Sequence, residues 1–294
     1  HKVEHNLIYS LDALDAYNEK LVKKIEVKGI EVKNLSGTSC YLYLQEIVLD
    51  KKIAPRAKME IDVSRANGIK RESHLLSVGD NLHVESNGLE AYRDIFITDV
   101  NAIQGYVELS DGTRLFSGEV IGDVSEENLR RVQIRETILS HLDKEEKLFK
   151  KGIKCLSLFF IDEVANYRQY DESGEPILGP YGKIFEEEYN NILAERGELF
   201  DKEYMDYVKS IPVGSTHKGY FSVDKNKRAI NSTVKGKSEF SDDIDAYDLI
   251  LKDKERLLSF EEPTRFIFSH SALSEGWDNP NVFQICTLKH SDST

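Results

Sequence analysis

Near the end of the chain, Ser274-Glu275-Gly276-Trp277-Asp278-Asn279-Pro280 gathers a flexible glycine, an aromatic ring, carboxylates and a helix-stopping proline in a short polar stretch. Apolar runs flank it: Phe266, Ile267 and Phe268 before, then Val282, Phe283, Ile285, Cys286 and Leu288 after. Runs of this kind predict strands buried on both faces, as in a parallel α/β sheet. Open sheets of that class place ligand chemistry in the loops at the carboxyl ends of their strands. Composition alone also allows a plain surface turn, because Gly, Asp, Asn and Pro are all turn formers. Two further stretches have the residue types of a phosphate site. Asp162-Glu163 follows the apolar run 153–161 and has the look of a strand ending in a metal-holding acid. Asn231-Ser232-Thr233-Val234-Lys235-Gly236-Lys237-Ser238 is a phosphate-loop pattern with Asn in place of its first Gly. That Gly permits the turn that aims backbone N–H groups at phosphate. No buried strand leads in and no apolar helix leads out, so the stretch reads as a hairpin or mobile loop.

The elements that would carry these residues follow from periodicity. Residues 7–24 place Leu7, Leu11, Leu14, Tyr17, Leu21 and Val22 at helical spacing, a helix leading in from a preceding domain. From 25 to 122 the period becomes that of strands, at 26–34, 41–49, 59–63, 81–84, 92–97, 102–109 and 113–116. Ser110-Asp111-Gly112 serves as a hairpin turn. Many short strands predict a small barrel or sandwich. Residues 125–149 return to helix, with Glu126 and Glu127 in the first turn where the macrodipole favours them, and Gly152 closing it. Strand 153–161, helices 181–193 and about 200–208, a polar loop over 211–239, a helix over 242–259 and the two flanking strands complete the chain. The domains expected are therefore a lead-in helix (1–24), a β-rich accessory domain (25–122) and an α/β lobe (123–294).

The stretch SALSEGWDNPNVFQICTL resembles motif V of superfamily 2 helicases, in the form found in the Res subunit of type III restriction endonucleases. YSLDALDAYNEKLVKKI, QIRETILSHLDKEEKLFKKGIKCLSLFFIDEVANYR, YGKIFEEEYNNIL and YDLILKDKERLLSFEEPTRFIFSHSAL agree with the same family in the same order. Over 27–122 the agreement is confined to a general β-rich character. The resemblance implies a RecA-like parallel sheet with helices on both faces. It makes 153–161 the opening strand of the second motor lobe, where Asp162 and Glu163 cap a strand end and hold no metal. It places Ser271 and Ser274 toward the DNA backbone, and Gly276 and Asp278 toward the nucleotide. Trp277 becomes an anchor for the loop. It implies ATP and Mg²⁺ as cofactors of a full-length enzyme, double-stranded DNA and a methyltransferase subunit as partners, and a cytoplasmic setting. It places the P-loop, the arginine-rich motif VI and the nuclease carboxylates outside these residues. His1 opens without Met, which agrees with a piece of something longer, expected to be inactive alone.

Composition limits the alternatives. With 294 residues, 40% hydrophobic and 31% charged, the chain has the balance of a soluble two-domain protein. No apolar run approaches a membrane span. Cys40, Cys155 and Cys286 are widely spaced and lack metal-ligand spacing. A net charge of −13 argues against binding polyanions over the whole surface, while leaving room for a local basic track. Lys51, Lys52, Arg56 and Lys58, with Arg65, Lys70 and Arg71, are basic clusters near expected loops; Lys51, Lys52, Arg56, Lys58, Lys70 and Arg71 are the candidates for accessory contacts to DNA phosphates, and ordinary solvated loops are the alternative. The rival reading is a DNA- or protein-binding module on an α/β scaffold, without a motor. A hydrolase of the α/β class lacks its Gly-x-Ser-x-Gly elbow here.

Overall fold

The computed structural model describes residues 13–20, 23, 32–33, 40–50, 52–122, 126–223, 228–231, 239–240, 250, 253–270 and 279–289. The chain is a mixed α/β fold in which a β-rich region precedes a parallel sheet with helices on both faces.

Helix α1 (Ala13–Asn18) lies in the lead-in segment and stops short of the expected end at 24, at a turn over 19–20 where Lys20 takes φ 61°. Strands β1 (Val32–Lys33), β2 (Leu42–Val48), β3 (Arg56–Arg65) and β4 (Gly68–Leu76) follow. Then come the short helix α2 (Leu82–Glu85) and strands β5 (Ile97–Asn101), β6 (Tyr106–Leu109), β7 (Arg114–Phe116) and β8 (Val120–Ile121). They form a five-stranded sheet in the order β1-β8-β2-β3-β4 and a three-stranded sheet β5-β6-β7. One core joins the two sheets, with Leu42, Leu44, Met59, Ile61 and Val63 meeting Val100, Val107, Leu109 and Leu115.

Several sequence expectations change here. Residues 81–84 are not a strand: Asn81 caps α2, its Oδ1 accepting from His83 N at 2.9 Å. Residues 92–97 do not form one strand either. A 3-10 turn at Glu90–Tyr92 delivers Tyr92 into the core, where its hydroxyl donates to Tyr41 O and accepts from Asp62 N. These are long-range bonds that no local pattern encodes. Strand β4 had no counterpart in the periodicity, because its positions on the core side are Lys70, Glu72, His74 and Leu76, opposite Val63, Ile61, Met59 and Ala57. Its turn signal was present in Asn67-Gly68, and Gly68 takes φ 108°. Arg56 and Lys58 therefore lie on β3, and Lys70 and Arg71 on β4, rather than in loops.

Helix α3 (Glu126–Phe149) starts and ends as its pattern predicts, with Gly152 at φ +69° just beyond it. The rest of the chain carries β9 (Leu156–Ile161), the hairpin β10 (Arg168–Tyr170) and β11 (Pro176–Leu178), helices α4 (Pro180–Arg196) and α5 (Lys202–Lys209), and β12 (His217–Tyr220). Strands β13 (Ser222–Val223), β14 (Ala229–Ile230) and β15 (Glu239–Phe240) form a small sheet. Helix α6 (Lys254–Leu258), β16 (Phe266–Ser269) and β17 (Val282–Leu288) follow. The main sheet runs β12-β16-β9-β17, with every neighbouring pair parallel.

Helices α3, α4 and α5 cover one face, packing Ile138, Leu142, Phe185 and Tyr204 against Phe159, Phe266 and Phe268. Ile250 and Leu257 cover the other, over Leu156, Leu158 and Ile267. Strand β16 is buried throughout, as its apolar run predicts. Strand β17 is an edge strand and only half-buried, with Ile285 64% exposed, so its run does not mark two covered faces. Strand β12 lies inside what reads as a polar loop. Its burial is tertiary: His217 bonds Tyr167 and Glu186, and Gly219 leaves no room for a Cβ beneath the Tyr167 and Phe221 rings.

The two regions meet along a polar seam. Tyr43 donates to Glu136 at 2.6 Å, Lys58 pairs with Glu195 at 2.9 Å and Arg196 with Glu46 at 3.3 Å. A cavity of about 150 Å³, lined by Tyr41, Tyr43, Arg71, Arg131 and Arg135, lies in this seam.

Candidate functional site at the carboxyl ends of the parallel strands

A parallel sheet aims all its carboxyl ends the same way, and here that edge collects polar side chains. After β9 comes Asp162, whose Oδ1 accepts from Glu163 N at 2.8 Å and from Asn166 Nδ2 at 2.7 Å. The carboxylate thus closes the turn that follows its own strand. Next along, Val164 N donates to Asn231 Oδ1 at 2.7 Å, so the residue in place of the phosphate-loop glycine is tied to the same turn. Residues 232–238 lie outside the described residues. Among the described residues, no group of three His, Cys, Asp or Glu side chains is placed to hold a metal ion.

The flanks of the motif V-like stretch are well defined. Ser269 ends β16 fully buried, and its Oγ has no hydrogen-bond partner among the described residues. His270 follows at the same edge, its Nδ1 likewise without a partner among the described residues. Burial, with the charge of Lys289 beside it, lowers the His270 pKa, against the opposing pull of Asp162. The ring is therefore neutral at neutral pH. On the far side, Asn279 and Asn281 enter β17 at the opposite, amino edge: Asn281 Nδ2 donates to Lys154 O at 2.8 Å and Asn281 O accepts from Leu156 N. Ser271, Ser274, Gly276, Trp277 and Asp278 lie between these flanks, outside the described residues.

The basic residues of the β-rich region do not form one patch. Lys51 lies outside the described residues, and Lys52 is exposed in the turn before β3. Strand alternation puts Arg56, Lys58 and Arg71 on the face toward α3 and α4, and Lys70 on the other face. Lys58 is paired with Glu195. Arg71 Nε donates to Asp62 at 3.2 Å, and its guanidinium lies 3.6 Å over the Tyr41 ring. Lys52 and Lys70 remain exposed.

What periodicity did not single out is the set of buried charges at the amino ends of the strands, Lys154, Arg265 and Glu145, all fully buried. A signal was present: Lys154 and Arg265 each stand directly before an apolar strand run.

No protein-family profile matches the chain. Individual proteins do. The EcoP15I Res subunit of Escherichia coli is 34% identical over 297 aligned positions, covering 98% of this chain and 27% of that protein. The EcoPI Res subunit of Escherichia phage P1 is 35% identical over the same share of each. The StyLTI Res subunit of Salmonella typhimurium is 28% identical, with 97% of this chain and 28% of that protein aligned. The chain thus spans about a quarter of the length of these relatives, and along nearly all of its own length it is similar to the Res subunits of type III restriction-modification enzymes.

Proposed function

We propose that the chain is part of the motor subunit of a type III restriction-modification enzyme and contributes a motif V loop to the clefts for ATP and DNA. The observation that carries this reading is the similarity to Res subunits across 98% of the chain. The fold is compatible with it: the stretch leaves β16 at the carboxyl edge of a parallel sheet, where such sheets bind ligands.

In this reading two RecA-like lobes close on the nucleotide. One carries the P-loop and the Mg²⁺ acid, and the other carries motif V and an arginine finger for the charge on the transferring phosphoryl group. Gly276 and Asp278 face the nucleotide side, while Ser271 and Ser274 face DNA phosphates, which hydroxyls and N–H groups bind without reading sequence. ATP and Mg²⁺ are the implied cofactors, and ATP hydrolysis would supply the free energy for movement on DNA. At this edge the described residues offer Lys289, which suits a phosphate oxygen, and no three-ligand set for the metal. In this reading the metal-holding acid belongs to the other lobe. Double-stranded DNA and the methyltransferase subunit are the proposed partners, and the cytoplasm the proposed setting. The residues of this chain alone should show no ATP turnover above background, and turnover abolished by Asp162→Ala would reverse the assignment of that acid.

The direct test is Asp278→Ala in the full-length enzyme. DNA-stimulated ATPase should fall at least about tenfold, the effect of losing about 1.4 kcal/mol of transition-state stabilisation, with the melting temperature unchanged. A normal kcat with a lowered melting temperature would reduce Asp278 to a turn residue.

A further inference from the structure

The seam between the β-rich region and the α/β lobe joins two bodies that are each complete without it. The β-rich region has one apolar core, and the lobe has another beneath α3, α4 and α5. The apolar cluster between them is small: Tyr41, Tyr43 and Val120 meet Val132 of α3. The charges of the seam are settled on their own sides. Within the β-rich region, Arg71 binds Asp62 and Tyr41 donates to Glu60 at 2.6 Å. Within the lobe, Arg131 binds Glu187 and Glu188, and Arg135 binds Glu188 and Glu195. Parting the two bodies strands none of these charges, so the large penalty for an unpaired ion does not arise.

The contacts that cross are Tyr43 to Glu136, Lys58 to Glu195 and Glu46 to Arg196. The two ion pairs among them are half-buried, of a class that is worth little in water and is screened by salt. The seam is also loosely filled. Beside Val132 lies the cavity of about 150 Å³, and a groove of about 440 Å³, lined by Gln45, Glu136, Lys147 and Arg196, opens along the same joint. Both have polar walls that suit water. The attachment is confined to one corner. Strand β1 pairs with β8, Val32 opposite Val120 and Lys33 opposite Ile121, so the first strand of the region lies beside the last. Gly122 follows at φ 105°, so close to Cys40 that a Cβ would meet its carbonyl oxygen at 1.8 Å. Only glycine turns the chain freely in that conformation.

We infer that the β-rich region is a hinged body. It turns about the corner at Gly122 between the closed position of the structure and an open one that bares Val132 and its neighbours on α3. Tyr43, Lys58 and Glu46 are the latch that holds it closed. Domains move across interfaces of this polar, poorly filled kind. Ionic strength sets the balance, because salt weakens the two crossing ion pairs and leaves both cores intact.

The test uses thiol alkylation in the full-length protein, with iodoacetamide as the probe and mass spectrometry to resolve each peptide. Val132→Cys places a thiol at a site that is 3% exposed and covered by the seam. The native Cys155, buried in the lobe against Glu145, is the internal reference for global unfolding. The thiol at position 132 should react at least about a hundredfold faster than Cys155, the mark of local opening. Raising NaCl from about 0.05 M to about 0.5 M should speed position 132 several-fold and leave Cys155 unchanged. Tyr43→Phe, which removes one crossing bond, should add about fivefold at position 132 alone. Val120→Cys, on the facing wall of the seam, reads the same event should Val132→Cys fail to fold. Rates at the seam thiol equal to those of Cys155 would show that the seam parts only when the protein unfolds, and would overturn the hinge. Fast labelling that neither salt nor Tyr43→Phe changes would overturn the latch.

Discussion

The two ends of the parallel sheet handle polar groups in opposite ways. At the amino end, charged side chains are taken fully out of water and bound to one another. Arg265 meets Glu145, and Lys154 donates to the carbonyls of Leu257, Ser259 and Glu262. At the carboxyl end, Ser269 Oγ and His270 Nδ1 have no partner among the described residues, and Asp162 is occupied with its own turn. A buried group without a partner costs roughly 1–3 kcal/mol. Arg265 Nε and His141 Nε2 at the amino end also lack a partner among the described residues, so the two ends differ in that the amino end pairs buried charges, not in that every polar atom there is satisfied.

The contrast is broken most strongly by removing one partner of the buried pair. Arg265→Met leaves the Glu145 carboxylate buried and uncompensated, and should lower unfolding free energy by about 3–5 kcal/mol. Asp162→Ala, at the other end, should cost about 1 kcal/mol, the net worth of a hydrogen bond. Urea unfolding of both variants measures the difference, and equal losses would remove the distinction between the ends.

Acid should act on the amino end in two stages. His141 is held below the ordinary imidazole value of 6.5 by burial, as is His217. The unfolded chain therefore binds protons on these rings that the folded protein does not. Their contribution to stability is present above pH 6.5 and declines as pH falls through 6.5 toward the lowered folded values. Glu145, with its pKa depressed from 4.5, adds stability that is complete above 4.5 and is lost below it. The melting temperature should thus begin to fall near pH 6.5 and fall further below 4.5. His141→Gln should flatten the first stage, and an identical pH profile in that variant would show that the ring does not titrate on unfolding.

How much of this was legible beforehand depends on where each element gets its burial. Helices α3 and α4 and strands β9 and β16 carry their apolar pattern in their own residues, so periodicity finds them. Strands β4 and β12 do not. Lys70, Glu72 and His74 lie on the core side because β3 holds the strand there, and the four residues His217–Tyr220 are buried by Tyr167, Glu186 and β16. In the candidate site, the polar stretch between the two apolar runs stood out because its residues are contiguous, while its motif V role is what the resemblance implies and its core, 271–278, lies outside the described residues. The buried pair did not stand out, because Glu145 and Arg265 are 120 residues apart and meet only once the sheet is assembled. Among the basic residues, type alone could not separate a free lysine from one tied into the seam.

That separation gives the last and smallest effect. Lys58 and Arg71 bind Glu195, Asp62 and the Tyr41 ring, so their replacement acts on the fold before it acts on any ligand. Lys58→Ser or Arg71→Ser should cost up to about 1 kcal/mol of stability, as for other half-exposed ion pairs. Lys52 and Lys70 are exposed, and with Lys51 they are the residues of this region proposed for DNA phosphates. The net charge of −13 sets a condition on that role: scattered lysines in an acidic surface produce little field, so these must act by touching the phosphates directly. Each neutralised phosphate adds about 0.9 to the slope of log affinity against log salt on duplex DNA. Replacing Lys51, Lys52 and Lys70 with Ser in the full complex should weaken binding equally for all sequences and flatten the slope by about one unit for each phosphate no longer neutralised. Binding should weaken without loss of stability, the reverse of the outcome for Lys58 and Arg71. An unchanged slope would assign the exposed face of the β-rich region to the methyltransferase partner or to the fold alone.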